Sequence, residues 1–193
     1  MKAKTIKEIF NDMNKRYEKY TFHLDENYQF EMRENKVYIK KESNMRTRGF
    51  EIVRDEFRKH PGADIQLPKR NDKGSCGYDL RIPCKMVIPP HSHSDLVFTD
   101  VCAYMQENEV LKVFVRSSIG CKKGLILSNG TGIIDSSYYP RNIGIKLYNT
   151  TDKEVVLEEN ERVCQCVFEN YLITDDDECM NEARVGGFGS SGV

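Results

Sequence analysis

Val110-Leu111-Lys112-Val113-Phe114-Val115-Arg116-Ser117-Ser118-Ile119-Gly120-Cys121-Lys122-Lys123-Gly124-Leu125-Ile126-Leu127 packs a short apolar run, a helical turn or two and a second short apolar run into one stretch. The branched and aromatic residues of 110–115 and 125–127 predict strands, and Ser117–Lys122 predicts a short helix between them. No other segment in the second half of the chain suggests a helix. Outward from this stretch the same texture repeats. Strands are expected over 50–53, 80–87, 95–104, 143–148, 155–157 and 163–168. Pro68, Pro83, Pro89-Pro90 and Asn129-Gly130 punctuate them. Many short strands at this spacing define a mainly β fold: a sandwich, a jelly roll or a barrel.

The first 47 residues read differently. Ile6, Ile9, Phe10, Met13, Tyr17 and Tyr20 form one stripe of an amphipathic helix over 4–20, with Thr5 and Glu8 placed as its capping pair. Tyr28, Phe30 and Met32, then Val37 and Ile39, alternate on either side of Glu34-Asn35, which predicts a β-hairpin. This helix-plus-hairpin appendage leans basic. Such a unit packs on its own domain or on a partner more often than on nucleic acid, and nucleic-acid binding is not expected. At the other end, Asp175-Asp176-Asp177-Glu178 reads as a solvated acidic linker. It leads to Arg184-Val185-Gly186-Gly187-Phe188-Gly189-Ser190-Ser191-Gly192, a run that cannot build a core. Glycines let backbone amides crowd an anion, an arginine fork fits phosphate oxygens, and a phenylalanine there suits covering something flat. The tail is therefore expected to close as a flap over a nucleotide.

A net charge of −1 gives no pull toward membrane or nucleic acid, and no apolar run approaches the ~20 residues that span a bilayer. The N-terminus has neither a secretion-signal core nor a transit-peptide composition. The seven cysteines contain no C-x-x-C pair and are odd in number, so reduced, mostly buried thiols in a cytoplasmic chain (host cytoplasm, if the source is a phage or virus) are expected. His91-Ser92-His93 has same-face spacing without an evident third ligand and reads as a solvated loop.

Four body segments carry chemistry. Arg116-Ser117-Ser118 ends a strand at a helix start, where hydroxyls and free amides either receive an anion or simply cap the helix. In Gly132-Ile133-Ile134-Asp135-Ser136-Ser137-Tyr138 the aspartate follows two large apolar residues at a strand end. It can hold a water and accept its proton, or merely open a turn. Tyr138 can lie flat against a sugar. Gly77-Tyr78-Asp79 sets a carboxylate at a strand start. Glu161-Arg162-Val163-Cys164-Gln165 puts Gln165 on one strand face and Cys164 and Cys166 on the other.

In this order, with the tail as a fifth, these segments resemble the five motifs of the homotrimeric dUTP pyrophosphatase (dUTPase) family, over about residues 48–193. The resemblance implies a distorted jelly-roll β-barrel at 48–171, an acidic linker and flexible flap at 172–193, and a 1–47 extension outside the family core. It implies a homotrimer with shared active sites that hydrolyses dUTP to dUMP and pyrophosphate with Mg²⁺. Asp135 matches the residue that orients and deprotonates the attacking water, and Asp79 an acid linked to Mg²⁺ through water. Ser117 with Arg116 and Ser118, and Gln165, match phosphate contacts. Asn129 and the hairpin that includes Gly132 match the uracil wall, and Tyr138 the ring that leaves no room for a 2′-hydroxyl. Arg184, Gly189, Ser190 and Ser191 match γ-phosphate contacts, and Phe188 the ring over the base. The sequence departs from the family pattern at Pro140, where glycine is frequent, and at Ser191, where threonine is. A dCTP deaminase on the same fold carries a glutamate after the aspartate, where Gly144-Ile145-Lys146-Leu147-Tyr148 has none. A regulatory protein that binds a repressor or other partner, through residues 1–47, is the other alternative.

Overall fold

A computed structural model of the protein describes residues 28–33, 36–41 and 46–178. The chain divides into two compact units, Met1–Arg46 and Thr47–Val193. In the first, β1 (Tyr28–Arg33) and β2 (Lys36–Lys41) pair antiparallel, with Tyr28 opposite Lys41 and Arg33 opposite Lys36. The chain thus reverses where the alternation predicted it. The expected helix over 4–20 and the glycine tail lie outside the described residues.

The second unit is mainly β and jelly-roll-like. Its largest sheet has five antiparallel strands in the order β11 (Gly132–Asp135), β9 (Glu109–Val115), β15 (Arg162–Asn170), β5 (Tyr78–Arg81) and β4 (Lys69–Arg70). Four antiparallel two-stranded ladders accompany it. They are β3 (Gly49–Ile52) with β8 (Val101–Tyr104), β6 (Met86–Ile88) with β14 (Val155–Leu157), β7 (Val97–Phe98) with β12 (Gly144–Ile145), and β10 (Leu125–Leu127) with β13 (Leu147–Asn149). The helix α1 (Ser117–Lys123) joins β9 to β10, so the stretch that opened the sequence folds as its pattern predicts. Among the described residues no helix is long and apolar enough to cross a membrane.

Three expected strands are each divided, for identifiable reasons. The run 80–87 breaks at Pro83, which has no N–H for a ladder. The run 95–104 breaks at Asp100, whose φ of 57° turns the chain from one ladder partner to another: β7 pairs with β12, and β8 with β3. The run 143–148 breaks at Lys146, whose carbonyl accepts from Ser128 N–H at 2.9 Å. The two-residue β4 carries no apolar pattern and was not expected.

The core is built from alternate positions of these strands. Leu80, Leu111, Leu125, Leu147 and Leu157 are fully buried, as are Cys164 and Cys166 on β15. Gln165 between the two cysteines is half-buried on the opposite face, as the period of two requires. The six cysteines among the described residues are free thiols: Cys102, Cys164 and Cys166 buried, Cys84 half-buried, Cys76 and Cys121 exposed. Burial pushes the Cys102 thiol up to about 11 and the Cys164 thiol up to about 12, and raises the Cys166 thiol well above its ordinary value.

Two buried carboxylates tie the periphery to this core. Glu109 pairs with Arg48 and accepts from Gln106 N–H at 3.1 Å; the Arg48 hydrogen bond holds its pKa below the usual range against the opposing effect of burial. Burial raises the Asp100 carboxyl, but the Lys59 N–H, the Asn142 amide and the His60 N–H together outweigh it and hold the pKa low. A depressed folded pKa gives stability that is complete above the ordinary carboxylate value of about 4 and is lost as pH falls through the folded value. The urea midpoint is therefore expected to fall steeply below about pH 4, and Glu109→Gln to flatten that fall while lowering the midpoint at neutral pH.

Candidate active site

The turn from β10 into β11, two strands that pair with β13 and β9 respectively, shapes one wall of a cleft of about 480 Å³, within the span of small-molecule sites. Asn129, Gly132 and Tyr138 all line it, together with Leu127, Ile134 and Lys146. The turn depends on Gly130, whose φ of 76° excludes most side chains, and Gly130 N–H closes it onto the Leu127 carbonyl at 2.9 Å. Asp135 ends β11 opposite Val110, roughly 10 Å along the strand from Gly132. It is half-buried, in extended backbone, and opens a short 3₁₀ turn, Ser136–Tyr138. That turn carries the Tyr138 ring back to the cleft, where it is 8% exposed.

A second group of predicted residues gathers where β5, β9 and β15 lie side by side. Asp79 on β5 is buried and bridges two arginines: Arg116 Nε at 2.8 Å from Oδ1 and Arg162 Nη1 at 3.0 Å from Oδ2. Arg116 also donates through Nη1 to the Arg162 carbonyl at 3.3 Å, while its own N–H donates to Val163 O at 2.9 Å. Its side chain is thus committed to the protein. Its carbonyl accepts from Ile119 and Gly120 N–H at 2.9 Å, fixing the first turn of α1. Ser117 stands exposed at the head of that turn, with Ser118 half-buried beside it. Lys69, Arg81 and Arg162 surround Asp79 in a hollow of about 170 Å³, giving the region a positive lining.

Gln165 pairs with Asp79 across β15 and β5, and its side chain lies over Gly77. A Cβ at Gly77 would collide with the Gln165 side chain, so the glycine in Gly77-Tyr78-Asp79 is a demand of Gln165. Gly77→Ala is expected to push the amide aside and raise KM for the substrate about tenfold, with a smaller change in Tm; steady-state kinetics and a thermal melt separate the two.

The structure thus places Asn129, Gly132 and Tyr138 in the cleft and Asp79, Arg116, Ser117, Ser118 and Gln165 at the arginine-rich edge, while Asp135 lines neither hollow. The two hollows share no lining residue. Arg184, Phe188, Gly189, Ser190 and Ser191 lie outside the described residues. Sequence reasoning did not single out Lys69 or Arg81. The β4–β5 ladder sets Lys69 opposite Asp79, whereas Arg81 stands two residues beyond Asp79 on the same strand face, a period-two signal the sequence did carry. The two histidines of 91–93 point to different partners, His91 Nε2 to Asp152 and His93 Nδ1 to Ser128 Oγ, each at 2.8 Å. Among the described residues no three His, Cys, Asp or Glu side chains are grouped to hold a metal ion.

The dUTPase family model matches residues 63–192. The deoxyuridine 5′-triphosphate nucleotidohydrolase of Lactococcus lactis subsp. lactis is 44% identical over 155 residues, covering 77% of this chain and all of that protein. The crystal structure of dUTPase from Streptococcus mutans superposes with a TM-score of 0.57 at 41% identity, over 66% of this chain and 98% of that one. A Staphylococcus bacteriophage 80alpha dUTPase with dUpNHpp shares the fold at 24% identity and a TM-score of 0.55, over 77% of this chain and all of that one. The chain belongs to the dUTPase family.

Proposed function

We propose that this chain hydrolyses dUTP to dUMP and pyrophosphate, with the uracil and sugar in the cleft of Asn129, Gly132 and Tyr138. The observation that carries the proposal is the convergence of those three residues on one nucleoside-sized cleft, at the start of the strand that ends in Asp135. The turn backbone and the Asn129 amide read the uracil edge, and Tyr138 packs on the deoxyribose. Asp135 orients a water and takes its proton as the water oxygen bonds to the α-phosphorus and the bond to the pyrophosphate oxygen breaks. Ser117, Ser118 and Gln165 bind phosphate oxygens. Arg116 and Arg162 supply positive field there while anchored to Asp79.

Mg²⁺ suits this donor set only in one way. Each Asp79 oxygen already accepts from a guanidinium and keeps a further lone pair, which fits an outer-shell link through water with the phosphates as direct ligands. When bound, the ion neutralises triphosphate charge. In the tail, Arg184, Gly189, Ser190 and Ser191 take the γ-phosphate and Phe188 covers the base, so that 172–193 acts as linker and flap on a 48–171 core.

The homotrimer has support in the two separate residue groups, which suit a site shared between protomers, and in exposed apolar side chains such as Ile133 (54%) and Val87 (50%). A cytoplasmic setting agrees with the free thiols. Residues 1–47 are left as a surface for a protein partner. Pyrophosphate release measured with dUTP, dTTP, dCTP and UTP in Mg²⁺ tests the activity. Turnover of dUTP far above the other three is expected, and comparable turnover of all four would overturn the proposal.

A further inference from the structure

Tyr138 lines the nucleoside cleft and also a second one of about 580 Å³, whose walls include Phe57, Lys59 and Asn142. The ring is buried, 8% exposed, yet it borders both clefts, so the hydrogen bond of its hydroxyl helps to set which of them it fills. Its hydroxyl donates to the Asn142 carbonyl at 2.9 Å. The Asn142 side chain is itself clamped: Nδ2 donates to Asp100 Oδ1 at 2.7 Å, and Oδ1 accepts from Asp100 N–H at 2.9 Å. Asp100 is fully buried with φ at 57°, a conformation that needs support in a non-glycine residue.

That support comes from a neighbouring segment. Lys59 N–H and His60 N–H each donate to the Asp100 carboxylate at 2.8 Å, and Arg58 Nε lies 3.5 Å away as a charge without a hydrogen bond. Arg58 Nη2 is fixed in turn by the carbonyls of His60 and Ala63 at 3.1 and 3.0 Å. On the far side, Thr99 N–H donates to the Ile143 carbonyl and Ile143 N–H to the Val101 carbonyl, both at 2.9 Å.

We infer that Asp100, acting through Asn142, is a positioning residue that fixes the Tyr138 ring and so sets how strongly the site rejects a 2′-hydroxyl. The inference rests on the reading of Tyr138 as the sugar wall. Steric rejection works only if the wall does not yield. A ring released toward the second cleft makes room for a hydroxyl while still covering deoxyribose.

The test is the ratio of kcat/KM for dUTP to that for UTP, measured on the full chain with Mg²⁺, together with a thermal melt. Asn142→Ala and Tyr138→Phe are each expected to lower the ratio at least tenfold, chiefly by raising kcat/KM for UTP. Asp100→Asn, which sets an amide against the Lys59 and His60 N–H groups, moves it the same way. A merely structural defect lowers both substrates together and produces no gain on UTP. Tyr138→Ala separates the two levels of the argument. An unchanged ratio there overturns the sugar-wall reading and this inference with it. A collapsed ratio in Tyr138→Ala, with ratios within twofold of the parent in Asn142→Ala and Tyr138→Phe, overturns the tether alone.

Discussion

Asp135→Asn is expected to lower kcat for dUTP about a thousandfold while changing nucleotide affinity less than threefold. The substitution keeps shape and most hydrogen-bonding capacity but removes a base able to take a proton from water. General-base contributions of about 10²–10⁴ set the size of the loss. The residue closes β11, and its backbone opens the turn that carries Tyr138, so an isosteric amide leaves the cleft in place. Affinity is read by calorimetry with the analogue dUpNHpp, and turnover by single-turnover pyrophosphate release. A kcat within tenfold of the parent removes Asp135 from the base role.

Asp79→Ala is expected to cost about 2–3 kcal/mol of stability and nearly all turnover. Removing one partner of a buried ion pair leaves an uncompensated charge; here it leaves the Arg116 and Arg162 guanidinium groups without their carboxylate, Arg162 in a hollow that Lys69 and Arg81 also line. The loss is set below the usual range for buried pairs because the Arg116 and Arg162 side chains keep 24% and 40% of their exposure. For a chain of this length that is a fall in Tm of roughly 5–10 °C. Turnover suffers separately, because the Arg116 guanidinium beside Ser117 then loses its anchoring carboxylate. The double variant Asp79→Ala/Arg162→Ala is expected to regain part of the stability and none of the activity. A single variant as stable as the parent would show that the pairs contribute nothing net.

Much of the fold was legible because strands announce themselves locally. The alternation in 110–115 and 163–168, the turn at Asn129-Gly130 and the hairpin pattern around 34–35 each carry their own signal. The breaks inside the longer apolar runs were less legible. Pro83 is visible in the sequence, yet nothing local predicts the left-handed Asp100, whose conformation is set by donors forty residues away in Lys59 and His60. The site divides in the same way. Asn129, Gly132, Asp135 and Tyr138 lie within ten residues, and one continuous segment of turn, strand and 3₁₀ turn brings three of them to the cleft. The Arg116–Asp79–Arg162 bridge needs three strands in register, which no short window records. The second-cleft tether through Asn142 had no signal at all, because an asparagine in a loop is the most ordinary of residues.

The two cysteines of β15 have a practical consequence for handling the molecule. With the Cys164 thiol raised to about 12 and the Cys166 thiol raised well above its ordinary value by burial, neither holds an appreciable thiolate fraction at neutral pH, and both are fully buried. Among the six described cysteines, alkylation or oxidation of the folded chain therefore falls first on Cys76 and Cys121, which are exposed. Slow modification at 164 and 166 then times the opening of the whole sheet, so these thiols serve as internal reporters of unfolding that need no added label.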